Sequence, residues 1–149
     1  MKVKTALILC AGFGKRVQPI TDSLPKPLII YKNKTLLENT INFLIKIKIK
    51  KIKINVFYLK EKIIAFINSK NFPISIEIVD DGETILGTGG GILSLINKSD
   101  EEDVLVINPD TIWDDSYINS IDKMEKIYFE RKIKNILLIV RIFQLTLKL

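Results

Sequence analysis

Residues 7–28 read LILCAGFGKRVQPITDSLPKPL. The apolar run Leu7 to Cys10 leads directly into Ala11-Gly12-Phe13-Gly14-Lys15-Arg16, and ten residues beyond Arg16 stands Lys26, between Pro25 and Pro27. A buried strand that ends in a glycine loop, with fixed positive charge behind it, is what a protein needs to hold a nucleoside triphosphate by its phosphates. Glycine lets the backbone turn sharply and approach a ligand closely, because no Cβ stands in the way. Successive backbone N–H groups in such a loop form an anion-binding hollow. Arg16 offers a planar fork of donors and Lys26 a compact point charge. The flanking prolines fix φ on both sides of the lysine and present it from a stiff segment.

Two commoner phosphate loops do not fit. A P-loop requires G-x-x-x-x-G-K-[ST]. Here Gly14-Lys15 is followed by Arg16, and the position five before Gly14 is Leu9. A dinucleotide fingerprint requires G-x-G-x-x-G, and after Gly12-Phe13-Gly14 position 17 is a valine. A lone G-x-G reads equally well as a plain turn. The addition of Arg16, Pro19, Thr21 and Pro25-Lys26-Pro27 makes the run far more specific.

The chain has 149 residues, 47% of them hydrophobic, which predicts one domain with a sizeable core. Its 23 basic and 17 acidic residues give a formal charge of +6, suited to anionic partners. The single cysteine, Cys10, excludes an intramolecular disulfide and a thiolate metal cluster. Its place in an apolar strand predicts a core residue rather than a nucleophile. The complete lack of histidine excludes a Ser-His-Asp triad, a histidine general base and the usual zinc sites. A metal here would be a hard ion on carboxylate oxygens. The N-terminal apolar run is too short for a signal peptide and lacks a small-residue cleavage site, so a cytoplasmic protein is expected.

Strand and helix patterns alternate along the chain. Strands are expected over 3–10, 28–31, 52–59, 74–78, 104–107 and 136–142. Thr35 followed three residues later by Glu38 is a capping-box signature. The helix it opens carries Leu37, Ile41, Leu44 and Ile45 on one face. Further helices are expected over 61–69, from the glycine segment 87–91 through Ile96, and over 116–131 with Ile121, Met124, Ile127 and Tyr128 inward. Asp114 and Asp115 are expected to cap that helix. The order predicts an α/β fold with a mainly parallel sheet, whose ligand site lies outside the carboxyl ends of the strands. The five lysines in Lys46–Lys53 read as a solvated helix end running into a strand with one wet face. Clustered lysines also neutralise nucleic-acid phosphates, but no aromatic residues interleave to stack bases.

Two more segments carry chemistry. Glu83 to Ile92 read ETILGTGGGI, with four glycines in the five positions 87–91. Glycine costs about 1 kcal/mol against alanine inside a helix, so this is not an ordinary helix interior and something must approach its backbone. Val104 to Asp110 read VLVINPD, a strand that ends in a carboxylate. Asp110 there is a metal-ligand candidate, or otherwise a turn or helix cap.

The first run resembles the signature of the sugar-1-phosphate nucleotidyltransferases, roughly L-x-A-G-x-G-x-R-x-x-P-x-T-x-x-x-P-K-P. Leu9, Ala11, Gly12, Gly14, Arg16, Pro19, Thr21, Pro25, Lys26 and Pro27 all stand at the family spacing. The resemblance implies a Rossmann-like three-layer α/β sandwich in a single domain over 1–149, with residues 135–149 an atypical tail. It implies transfer of a nucleotidyl group from a nucleoside triphosphate to a sugar 1-phosphate, with release of pyrophosphate. By resemblance, Leu9, Ala11, Gly12, Gly14 and Lys15 contact the nucleotide, Arg16 holds the leaving pyrophosphate, and Lys26 bridges the α-phosphate and the sugar phosphate. Thr88, Gly89 and Gly90 match the segment that lines the base and ribose pocket. Asp110 matches the Mg²⁺ ligand and Asn108 a substrate contact, with Pro109 in place of the commoner glycine. Leu86-Gly87-Thr88 resembles guanylyltransferases acting on mannose 1-phosphate. Thr88-Gly89-Gly90-Gly91 resembles uridylyltransferases acting on N-acetylmuramic acid 1-phosphate, and UTP is preferred over GTP on that basis.

The resemblance runs from residue 3 to about residue 130. Members of the family are considerably longer, and their second half supplies most of the sugar pocket and a second metal-binding aspartate. No acidic residue follows Glu130 here. The expectation is therefore a chain shortened at its C-terminus that keeps the nucleotide half, either active or a nucleotide-binding fragment or regulatory subunit. Its tail is too short to span a membrane, which takes about 20 apolar residues. A basic nucleic-acid-binding protein is the remaining alternative.

Overall fold

The computed structural model describes residues 2–99 and 101–135. The chain divides into two compact units, at Trp113 and Asp114. In the first, strands β1 (Thr5–Leu9), β4 (Lys51–Val56), β5 (Ser75–Asp80) and β6 (Val104–Ile107) form one sheet in the order β5-β4-β1-β6. All three pairings are parallel. A two-stranded hairpin, β2 (Ile30–Tyr31) and β3 (Lys34–Thr35), precedes helix α1 (Leu36–Lys46). Helix α2 (Lys60–Ser69) links β4 to β5, and α3 (Gly87–Asn97) links β5 to β6. Parallel crossovers are right-handed. The chain therefore winds outward through α1 and α2 on one face, then returns past β1 through α3 on the other. That is the expected three-layer α/β fold with a parallel sheet.

Register divides the sheet into two faces, because successive side chains point to opposite sides. Ala6, Ile8, Ile52 and Ile54 share one face and are fully buried. Leu7, Leu9 and Val79 share the other, where they pack with Leu95 of α3. The cap on α1 is as expected, with the Glu38 N–H donating to Thr35 Oγ1 at 3.0 Å. Leu37, Ile41 and Leu44 are buried, but Phe43 takes the remaining core place and Ile45 is only half-buried.

The structure corrects several sequence-based boundaries. The second strand is only Ile30–Tyr31, with Leu28 in a 3-10 turn before it. It pairs with β3 across Lys32 and Asn33, both at positive φ (49° and 67°). Such a pair of left-handed residues matches the twist of a tight hairpin. β4 stops at Val56, and Leu59 enters α2 in the left-handed region. The glycines at 87–91 are helical and form the first turns of α3. In the second unit, Asp114 caps a 3-10 turn (Asp115–Tyr117) by accepting from the Ser116 N–H, and helix α4 (Ile118–Arg131) begins two residues later than expected. Of the four inward positions expected there, Ile121 is buried, while Met124, Ile127 and Tyr128 are half-buried. The strand expected over 136–142 lies outside the described residues. Among the described residues, no helix is long and apolar enough to cross a membrane.

The lysine run does not present a wet strand face. Lys53 is 1% exposed, and its Nζ lies 3.2 Å from Glu77 Oε2 on the neighbouring strand. Lys51 reaches the same carboxylate at 3.2 Å. A parallel sheet covered on both sides has no solvent face at its centre, so this lysine is ion-paired inside the sheet layer. Burial pushes the Glu77 carboxyl up, but the hydrogen bonds from Lys51 and Lys53 outweigh it and hold the group below its ordinary 4.5. With a lowered folded value, the contribution is complete above 4.5 and is lost as pH falls through that folded value. Glu77→Gln leaves the Lys53 ammonium without its counter-charge and should destabilise the protein by about 2 kcal/mol, below the range for fully enclosed pairs because solvent reaches Glu77. Urea unfolding at pH 7 and in acid checks this: the gap between variant and wild type should shrink as Glu77 protonates.

Candidate functional site

The ends of β1, β4 and β6 open into a cleft of about 410 Å³. The loop after β1, the Lys26 turn, the start of α3 and the loop after β6 all line it. The expected site residues Leu9, Ala11, Gly12, Gly14, Lys15, Arg16 and Lys26 are here, with Thr88, Asn108 and Asp110. Gly89 and Gly90 lie one step further into α3 and are not among the lining residues. Lys15, Arg16 and Lys26 face a single lining carboxylate, Asp110, so cationic side chains predominate and the cleft favours anions.

The first loop is held from behind. Gly14 has φ 68°, a region that disfavours side chains, and a Cβ there would meet Thr21 Cγ2 at 2.8 Å. Thr21, fully buried, donates its hydroxyl to the Gly14 carbonyl at 3.0 Å. Tyr58 in turn donates to the Thr21 carbonyl at 2.9 Å. Phe13 packs against Phe57 and Tyr58, with ring centroids 6.0 and 5.1 Å away. The Lys15 ammonium lies 5.5 Å from the Phe13 ring centre. These anchors leave the polar edge of the loop toward the cleft.

Lys26 opens a 3-10 turn (Lys26–Leu28), where Pro25 precedes it in extended conformation and the Ile29 N–H donates to its carbonyl. Its ammonium hydrogen-bonds and ion-pairs with Asp110, 84 residues away in sequence. Two residues that the sequence nominates separately are thus partners across the cleft. The loop carrying Asp110 is fixed on two sides. The Thr40 hydroxyl of α1 shares its one proton between the Leu36 carbonyl at 3.0 Å and the Pro109 carbonyl at 3.4 Å, and Trp113 Nε1 donates to the Asn108 carbonyl at 3.0 Å. The Trp113 ring stacks on Phe43 with centroids 5.5 Å apart.

Sequence reasoning missed Asn55, which lines the cleft at the carboxyl end of β4 and is 2% exposed. Its alternation with Ile52, Ile54 and Val56, like that of Lys53, read as a wet strand face and gave no separate signal. Its amide donates to Asp81 Oδ2 at 2.7 Å. Burial pushes the Asp81 carboxyl up, and the Asn55 bond offsets this in part.

Magnesium is tested by the donor set. Among the described residues no three His, Cys, Asp or Glu side chains gather into a metal site. Mg²⁺ is commonly bound by one or two carboxylates together with substrate phosphates, and Asp110 beside three phosphate-binding candidates fits that mode.

A family model described as nucleotidyl transferase matches residues 5–140, and the chain belongs to that family. It is 41% identical over 117 residues to the bifunctional protein GlmU of Methanococcus maripaludis, covering 78% of this chain and 27% of that protein. It is 32% identical over 113 residues to an N-acetylmuramate alpha-1-phosphate uridylyltransferase of Caulobacter vibrioides, covering 74% and 47%. A crystal structure of a UDP-glucose pyrophosphorylase complexed with UDP-glucose shares the fold, with a TM-score of 0.72 at 19% identity over 87% of this chain and 54% of that one. The chain thus spans about a quarter of the GlmU relative and about half of the other two proteins.

Cys10 lines the cleft yet is 1% exposed. Burial, aided by the negative charge of Asp110, pushes its thiol well above the ordinary thiol range. A thiol so raised stays protonated through neutral and mildly alkaline pH, and the thiolate is the reactive form. Between pH about 6 and 9, alkylation by iodoacetamide should be far slower in the folded protein than in denaturant, and should rise with pH without levelling off, because the thiolate fraction keeps growing below so high a pKa. Modification of the folded protein as fast as in denaturant, or a rate that levels off within that range, would contradict this environment.

Proposed function

We propose that this cleft binds a magnesium–nucleoside triphosphate and a sugar 1-phosphate, and joins them into a nucleoside-diphosphate sugar with release of pyrophosphate. The observation that carries the reading is the meeting, in one cleft, of the glycine loop, Lys26, Thr88 and Asp110. Family membership supports it. A phosphate oxygen of the sugar attacks the α-phosphorus, the bond to the β-phosphate breaks, and pyrophosphate leaves with the electron pair. No protein nucleophile is needed, and the catalytic effect comes from positioning and charge.

In this reading Gly12, Gly14 and Lys15 contact the triphosphate, and Arg16 holds the departing pyrophosphate. Lys26 sits between the α-phosphate and the sugar phosphate and offsets their repulsion. Thr88, with Gly89 and Gly90 behind it, borders the base and ribose, and Asn108 contacts substrate. Mg²⁺ on Asp110 would supply charge neutralisation at the triphosphate oxygens. UTP is the preferred nucleotide and GTP the next. The product would serve cell-envelope precursor synthesis in the cytoplasm.

A second reading is nucleotide binding without turnover by this chain, which spans about a quarter to a half of those relatives' length. Pyrophosphate release by the purified chain separates the two. The assay contains Mg²⁺, the four nucleoside triphosphates and a pool of sugar 1-phosphates. The first reading expects release that depends on the sugar pool. Lys26→Ala should then lower turnover by roughly a hundredfold or more. Wild-type turnover in that variant would refute the role given to Lys26.

A further inference from the structure

Asn55 ties together the segments that border the cleft. It stands opposite Leu9 in the β1–β4 register, at the last paired position of β1. The Cys10 N–H, next in the chain, is shared between the Asn55 carbonyl at 3.2 Å and its side-chain Oδ1 at 3.0 Å. The other end of the same amide donates to Asp81 Oδ2 at 2.7 Å, just beyond β5. The third neighbour is α3: a Cβ on Gly91 would lie 2.7 Å from Asn55 Nδ2, so only glycine lets the helix come this close. One buried side chain therefore meets the start of the first glycine loop, the end of β5 and the glycine-rich start of α3.

A buried amide must have its polar atoms satisfied, and this fixes its neighbours as much as it is fixed by them. Binding groups need their loops held to a fraction of an ångström by such supporting bonds. An apolar strand residue of similar size would fill the same space without holding any of the three segments by direction. We propose that Asn55 is a positioning residue that sets the glycine loop after β1 and the glycine start of α3 in register for the triphosphate. The inference rests on the nucleotide reading of the cleft and deepens it.

The test compares wild type, Asn55→Leu, Asn55→Asp and the reciprocal pair Asn55→Asp with Asp81→Asn, all in the full chain. Affinity for the magnesium complexes of UTP and GTP is read from the fluorescence of Trp113, the one tryptophan, and melting temperature without nucleotide is recorded beside it. Asn55→Leu keeps the branched outline with somewhat greater bulk and loses both side-chain bonds, so affinity should fall about tenfold, the size of one lost bond to a charged group. Asn55→Asp sets two carboxylates against each other and should lose at least as much. The reciprocal pair restores a donor opposite an acceptor and should recover most of the affinity. A residue needed only for stability would give melting changes with unchanged affinity in the folded fraction. Wild-type affinity in folded Asn55→Leu, or no recovery in the reciprocal pair, overturns the inference while leaving the nucleotide reading intact. No binding of either nucleotide by the wild type overturns the nucleotide reading first, and this inference with it.

Discussion

The position of β1 between β4 and β6 governs everything else in the first unit. The chain steps from β1 to β4 to β5 in one direction and then returns across β1 to place β6 on its other side. At such a reversal the connections leave the sheet toward opposite faces, and a crevice opens between them. The loop after β1 lies at its centre, and the loop after β6 and the start of α3 close it in. Three segments separated by dozens of residues become neighbours through strand order alone.

That placement explains the division of labour among the side chains. The apolar residues of the strands are spent on the sheet faces, where Ala6, Ile8, Ile52 and Ile54 are fully buried. At the carboxyl edge the loops are held by directed bonds instead: Thr21 to Gly14, Trp113 to Asn108, Thr40 to Pro109, and Asn55 to Cys10 and Asp81. Their cleft sides are left with cations and one carboxylate. Across the cleft Lys26 and Asp110 ion-pair with each other. In the proposed function, a phosphate on Lys26 and a metal on Asp110 would replace that pair with two better-matched ones.

The sequence made the fold and much of the site legible because both rest on local signals. Alternating apolar runs mark the strands, and Thr35 with Glu38 marks the start of α1. The glycine loop and Asp110 were readable as chemistry at strand ends and Lys26 as a charge on a stiff proline-flanked segment, though the contact of Lys26 with Asp110 across 84 residues was not. What was hidden depends on tertiary surroundings. Lys53 and Asn55 alternate with isoleucines as residues of a wet face would, and only a sheet covered on both sides turns them into buried polar groups. The Lys32-Asn33 turn lacks the glycine that announces a hairpin. Thr40, Phe43 and Trp113 read as ordinary helix and loop residues until the loop after β6 is laid against them.

The central claim is that three separate segments form one triphosphate site at the carboxyl edge. Amide hydrogen exchange of the full chain, with and without Mg²⁺ and the nucleoside triphosphates, tests it most directly. The account predicts slowed exchange in residues 10–16, 87–91 and 108–113 together, at the same nucleotide concentration, with the far ends of the strands unchanged. Protection of one segment alone, or none in any of them, would contradict a shared site.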